Sequence, residues 1–540
     1  MEVDVLDYPT SAVCAGWRSA ARAVLSLGTL IGASAEYEVV LAEPSVFYAA
    51  FPRAKQIAEG GWKRVFCAER AHAGRGGADA PAEALAVIDV EEVARLGLRA
   101  QLELELSAMH FCSLLVSERF CPHFVSLLGT FLLGFALPAD GWDRPAPVPD
   151  APAPGAKAAD EGDAEVEVAR GRKQTRPRRR TAEACEAPEA VERVMQVVHM
   201  ELCSGDLEAL TAGTVLPLPD VLAYALQMCV ALFVAQRTLG MVHHDLKLLN
   251  FFARAPREAP AGVEPGEAAV RFTYVLPAAD PPPAAGAAGV ELSVELDAAR
   301  PTLCLLSDFG TVDFGGEGLG APICAHHFTT FENTPPDYLL LGARATQGPK
   351  SDSWTLGLAM LHLCTGHAPY EELLAGLRCP ASLRAALNDA WASGRELAVV
   401  RKALARDEDG VLADTLYRYW VTLGPPAATE WLHASRAYLA LSAWSRAHAA
   451  ELGRDGAAFT LASGTAFATA RARMAEAGGL HELVRGLLEW DPARRLTPED
   501  ALRAAEVFAP MRASAGSAAR HVDGAATNGA RLVCAREYRL

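Results

Sequence analysis

No Cys-x-x-Cys pair occurs among the twelve cysteines, which are scattered from Cys14 to Cys534. That spacing gives no zinc-ribbon or dithiol motif and fits reduced thiols. Nor is there a basic excess: 50 Lys and Arg face 66 Asp and Glu, and the net charge of −16 argues against general nucleic-acid binding. The opening Met1-Glu2-Val3-Asp4-Val5 lacks the basic start and apolar core of a signal peptide, so none is expected. The longest uncharged stretch, Phe120 to Ala139, approaches a membrane span in length. Pro122, Gly129, Gly134 and Pro138 interrupt it, and a buried strand pair is expected instead. No internal repeat is present. What remains is a 540-residue chain able to bury a large core, expected to be intracellular, cytoplasmic or nuclear, with no membrane partner.

The most informative stretch is Met241-Val242-His243-His244-Asp245-Leu246-Lys247-Leu248-Leu249-Asn250, followed downstream by Ser307-Asp308-Phe309-Gly310. It puts an aspartate, a lysine and an asparagine on one short loop and a second aspartate after an apolar strand, Leu303-Cys304-Leu305-Leu306. These are the groups needed for phosphoryl transfer, where catalysis is mostly positioning and charge neutralisation. At this point the chain resembles the eukaryotic-type protein kinases. The resemblance implies that Asp245 orients the acceptor hydroxyl and takes its proton. Lys247 would reach the transferring phosphate, and Asn250 and Asp308 would supply oxygen ligands to Mg2+. A second Asp313-Phe314-Gly315 follows five residues later. Asp308 is preferred because Asp313 lacks a delivering strand.

Other segments resemble the same family. The run Val221 to Leu239 is apolar nearly all round and reads as a buried helix. Thr329 to Asp337 looks like the substrate-docking segment, with Thr330 in the docking position and Pro335-Pro336-Asp337 at its end. Lys350 to Gly357 resembles the opening of the central helix, where Asp352 sits at a helix start and can accept backbone N–H bonds. Gly366-His367-Ala368-Pro369-Tyr370 closes that helix. Trp490 to Thr497 resembles the Asp-Pro-x-x-Arg motif, implying that Arg495 pairs with Asp337. Thr497, Pro498 and Asp500 read as the capped start of a last helix.

The amino-terminal part matches less well. Val194 to Cys203 reads as a strand and hinge, implying Met200 as gatekeeper, backbone groups of Glu201 to Cys203 against adenine, and Asp206 near ribose. Cys121 to Phe131 looks like the fourth strand, preceded by a helical stretch from Glu91 to Leu115. Glu103 and Glu105 are both candidates for the carboxylate that pairs the ATP lysine, with Glu105 preferred. Matching Ser45 to Ala50 to a strand puts Arg64 to Ala68 on the lysine strand, with alanine in the lysine's place. Lys63, which begins that strand, and Arg70, which shares a face with position 68, are candidates for a displaced cation, against a solvated surface role. The glycine loop is reduced to Gly28 and Gly32. Where most of the family has an arginine before the catalytic aspartate, this chain has His244. An imidazole lacks a guanidinium's permanent charge and fork, so activity is expected not to depend on phosphorylation of the segment carrying Thr329 and Thr330.

The expected architecture is α+β: a bilobal protein-kinase-like fold, with a small β-rich N-lobe and a larger helical C-lobe. Residues 1–20 form an N-terminal segment, 21–200 the N-lobe, 201–510 the C-lobe and 511–540 a tail. Insertions are expected at about 140–190, a disordered loop with an acidic cluster (Asp160 to Glu167) and a basic run (Arg170 to Arg180); at about 254–301, which must loop out; and at about 378–478, mostly helical and suited to binding a partner. Long Ala- and Pro-rich insertions resemble kinase-like proteins of large DNA viruses, which would place the chain in a virion or infected cell. The implied activity is a serine/threonine protein kinase using ATP with Mg2+ or Mn2+ on a protein substrate, with nucleic acid not expected. The alternative is a pseudokinase acting as a nucleotide-binding or scaffold module. Intact Asp245, Asn250 and Asp308 favour the first, and the missing lysine and glycine loop favour the second.

Overall fold

A computed structural model describes residues 41–42, 44–60, 63–71, 82–143, 194–256, 268–277, 290–314, 323–324, 327–346, 348–393, 395, 397–407, 409–426, 429–462, 472, 474, 478–513 and 531–539. The segment 1–20, the Gly28/Gly32 pair, the acidic and basic clusters between residues 160 and 180, and Gly315 lie outside these residues. The architecture is mixed α+β and divides into two compact units, one from Glu38–Gly97 and Leu128–Leu202, the other from Leu98–Leu127 and Cys203–Leu540.

The first unit is built on an antiparallel meander, Arg53–Glu59, Lys63–Glu69 and Ala82–Asp89, extended by Met195–Glu201 and then Leu127–Leu133. One sheet face buries Phe66 and Ala68, Leu85 and Val87, Met195 and Val197. Phe47, Phe51 and Trp142 cover it, and the Trp142 indole N–H donates to the Phe51 carbonyl at 2.7 Å. Burying such rings contributes about 1.5–3 kcal/mol each. Two expectations change here. Ser45 to Ala50 lies not in a strand but in the helix Pro44–Ala50. Pro44 has the backbone preset for a first helical turn, and Phe47 and Phe51 at i, i+4 spacing point one way, onto the sheet. Phe120 to Ala139 forms one strand, Leu127–Leu133, rather than a strand pair.

At the heart of the second unit is the helix Leu218–Val234, with thirteen buried residues, continued by a π turn Ala235–Leu239. Gly240 ends it at φ +63°, where a side chain would be strained. Among the described residues Leu218–Leu239 is the one helix long and apolar enough to cross a membrane, and 72 % of its most apolar window is buried inside the fold. The helix Pro349–Thr365 is equally enclosed, every residue from Ser351 to Thr365 being buried. Leu303–Leu306, Phe251–Arg254 and Gly205–Asp206 make a three-stranded sheet beside them.

The 254–301 segment does not simply loop out. Ala268–Leu276 and Val290–Asp297 pair antiparallel, with Arg531–Arg539 parallel on one edge and Arg512–Ala513 on the other. Alternating burial along Ala268–Leu276 gives the hairpin an apolar face, and Tyr538 from the tail stacks on Phe272 and Tyr274. The Tyr274 hydroxyl lies 2.8 Å from His123 Nε2, whose Nδ1 lies 2.9 Å from the Cys304 carbonyl. Burial pushes His123 down to about 3, so it is a neutral link between hairpin and the Leu303–Leu306 strand. Residues 378–478 supply the helices Ala381–Ser393, Ala398–Leu404, Val411–Leu423, Arg436–Ala447 and Ala449–Ala462. Tyr419 from the third of these meets Trp354 edge-on at 4.9 Å, so the insertion packs into the helical core.

Candidate functional site

The π turn delivers the chain into a two-residue strand, Met241–Val242, paired antiparallel with Asp313–Phe314. The next two peptides are clamped by Asp352, which is fully buried at the start of Pro349–Thr365. Its Oδ2 accepts from the His243 N–H at 2.8 Å and its Oδ1 from the His244 N–H at 2.9 Å. Charge-assisted bonds of this kind are about twice as strong as neutral ones. They hold His244 at φ +66°, a conformation that costs a non-glycine residue about 1–3 kcal/mol. Asp352 thus serves the loop rather than capping its own helix.

Asp245 follows directly. Its Oδ1 accepts from the hydroxyls of Thr329 at 2.9 Å and Thr330 at 2.8 Å, and its Oδ2 lies 3.1 Å from the Lys247 ammonium. Lys247 also donates to the Thr330 hydroxyl at 3.2 Å. Asn250 gives its side-chain Nδ2 to the Asp245 carbonyl at 2.7 Å, which leaves its Oδ1 as the end available to a cation. The Asn250 carbonyl accepts from the Ser307 N–H at 3.0 Å as the ladder Phe251↔Leu306 begins. Asp308 therefore emerges beside Asn250, itself at φ +57°. Loop and strand end are brought together by one hydrogen-bonded ladder.

Around Asp308 the structure separates two glutamates that spacing alone leaves open. A Cβ placed on Gly310 would lie 3.5 Å from Glu105 Oε2 and 3.7 Å from Asp308 Oδ1, so both carboxylates flank this glycine. Gln101 donates to the Gly310 carbonyl at 2.5 Å. Glu105 is buried on the inner face of Arg99–Ser117, whereas Glu103 pairs with Arg99 at 3.2 Å, nearer solvent. The Asp206 carboxylate caps Leu207–Thr211 by accepting from the Ala209 N–H at 2.7 Å, and half-buried Cys203 precedes it. Lys247 shares a groove with Glu208, Asn333 and Glu371. Burial first, then neighbouring carboxylates, raises the pKa of Glu208 and Glu371, while Lys247 opposes the rise.

Asp337 and Arg495 meet at 2.8 Å, both buried. The guanidinium also donates to the Glu489 and Lys350 carbonyls and lies 5.2 Å over the Trp354 ring, so its donors are well satisfied. Thr497 and Asp500 form a reciprocal capping box.

In the first unit, Met200 is half-buried and Glu201 buried on Met195–Glu201, and Lys63 is half-buried at the start of Lys63–Glu69. Ala68 lies in the apolar core next to Phe66. Arg70 faces Glu83 at 3.5 Å, and Glu83 also contacts His199 at 2.5 Å, so the arginine serves a charge network of its own. The strand Arg64 to Ala68 is not the last before the helices. Ala82–Asp89 intervenes, leads into the helix Val90–Arg95 and contains no lysine or arginine.

Sequence reasoning missed His327 and Cys324. His244 Nε2 and His327 Nε2 approach the same oxygen, Asp313 Oδ2, at 3.3 and 2.9 Å. Burial raises the Asp313 carboxyl, but the two imidazoles more than reverse this and hold it well below the usual carboxylate range. Asp313 is thus engaged away from the Asn250–Asp308 pair. The local signal, His327 between Cys324 and Thr329, carries no recognisable spacing. Comparison of the chain with models of protein families and with curated proteins finds no match.

Proposed function

We propose that the chain is an ATP-dependent serine/threonine protein kinase with a bilobal protein-kinase-like fold, the first unit serving as N-lobe and the second as C-lobe. One observation carries this reading: Asp245, Lys247 and Asn250 converge on one loop that a backbone ladder holds beside Asp308. The Thr330 hydroxyl, 2.8 Å from Asp245 Oδ1, marks where an acceptor hydroxyl can donate. In the proposed step Asp245 takes the proton of that hydroxyl, its oxygen bonds to the γ-phosphorus, and the bond to the β–γ bridging oxygen breaks to release ADP. Lys247 stabilises charge on the transferring group. The Asn250 Oδ1 and Asp308 carboxylate are hard oxygen donors that fit Mg2+, which would neutralise the phosphates.

The second reading is a pseudokinase, a nucleotide-binding or scaffold module. It is favoured by the absence of a lysine from Ala82–Asp89 and by the engagement of Arg70 with Glu83. Transfer of labelled γ-phosphate to a generic protein substrate with Mg2+ or Mn2+ separates the two. Signal from the wild type and none from Asp245→Asn supports the enzyme; equal signals sink it.

A further inference from the structure

Beside the loop, the pairing of Met241–Val242 with Asp313–Phe314 gathers side chains that no step above uses. The His244 and His327 rings stack with centroids 4.3 Å apart and planes 16° apart, and both side chains are essentially buried. Their Nε2 atoms lie 3.3 and 2.9 Å from Asp313 Oδ2, and Cys324 Sγ lies 3.5 Å from both ring nitrogens of His327, beside the ring. Neither ring nitrogen of His244 makes a well-formed hydrogen bond, a costly state for a buried imidazole. Tetrahedral zinc, with N and O ligands near 2.0–2.1 Å, sets N···O edges of about 3.3 Å. The two N···O separations approach that edge, the His327–Asp313 one being the short side.

We propose that His244, Asp313 and His327, whose ligand atoms all lie within 4.8 Å of one another, form a binding site for a zinc-like divalent cation. Two imidazoles and a carboxylate select a borderline ion over Mg2+. Without the ion the cluster is hydrogen-bonded: the Cys324 N–H donates to His327 Nδ1 at 3.1 Å, so Nε2 carries the ring proton and gives it to Asp313. On loading, each imidazole keeps one proton, on Nδ1, and binds the ion through Nε2. The Cys324 amide bond to His327 Nδ1 is exchanged for the bond from His327 Nε2 to the cation. The ion ties the residue before Asp245 to the segment that carries Thr329 and Thr330. On the kinase reading, and only on it, this lock takes the place of a phosphate held by an arginine; the metal site itself does not depend on that reading.

The test is titration of the chelator-stripped full-length protein with Co2+, followed by displacement with Zn2+. The wild type should bind one Co2+ with the visible absorption of a tetrahedral site, lost to Zn2+. Asp313→Asn, a near-isosteric change that removes a charged ligand, should weaken Co2+ binding by more than about tenfold. His327→Ala should weaken binding beyond the roughly 10–100-fold typical of losing an outer-shell partner. Absence of tetrahedral Co2+ absorption in the wild type overturns the proposal, and so does Co2+ affinity unchanged by Asp313→Asn, even where His327→Ala fails to fold. An intact cobalt site in a protein without phosphotransfer would sink the kinase reading alone.

Discussion

Asp337 and Arg495 set the energetic stakes for single residues. A buried ion pair adds little over an apolar pair, but removing one partner leaves an uncompensated charge. Asp337→Ala is expected to lower unfolding stability by about 3–5 kcal/mol in denaturant titration; a loss like that of an exposed pair would contradict the burial. His123 makes a pH prediction. The fold keeps it neutral down to about pH 3, whereas an unfolded chain protonates it near 6.5. Between those values the unfolded state binds the extra proton, so stability present above 6.5 is lost as pH falls. At pH 5 this amounts to about 2 kcal/mol. Unfolding at pH 7 and pH 5 should show that loss in the wild type and a smaller one in His123→Gln; identical pH slopes would mean other groups carry it. Thr329 and Thr330 change meaning at this scale. Both donate to Asp245, so their replacement by alanine perturbs the aspartate itself and cannot report on phosphorylation alone.

Helices and strands show why some motifs have the residues they do. Gly357, the last position of the Lys350 to Gly357 segment, lies where Pro349–Thr365 crosses Leu480–Leu487. A Cβ there would sit 2.8 Å from Leu488 Cδ2 and 3.0 Å from Leu487 Cβ. Gly357→Ala should therefore lower stability by about 1–3 kcal/mol through overpacking, despite alanine's better helix propensity; a higher melting temperature would refute this packing. Much of this level is readable in sequence because it is periodic or local. The apolar run ending at Leu239 and the capping box at Thr497 depend on neighbours within a turn or two. Glu105 was also readable: Leu102, Glu105, Met109 and Cys112 share one face of Arg99–Ser117, whereas Glu103 does not. Ala82–Asp89 escaped because an alanine-rich run has weak strand propensity and forms only by pairing on both edges. The His244–Asp313–His327 cluster was illegible for a different reason: tertiary folding alone brings its members together.

At the scale of the whole molecule, the first unit offers no lysine in Ala82–Asp89. On the proposed kinase reading, phosphoryl transfer needs charge neutralisation more than covalent chemistry, and a metal held by Asn250 and Asp308, together with Lys247, would carry part of that load. On the same reading nucleotide binding depends on the metal: Asp308→Asn should lose Mg2+-dependent ATP binding measured by fluorescence or calorimetry, and unaltered Mg2+-dependent affinity would argue against its role. The central claim is tested most directly by single-turnover transfer of γ-phosphate from saturating Mg·ATP, wild type beside Asp245→Asn. The variant should bind ATP as well as the wild type but transfer phosphate slower by about 10²–10⁴. Equal transfer rates, or no transfer by the wild type with either Mg2+ or Mn2+, would contradict it.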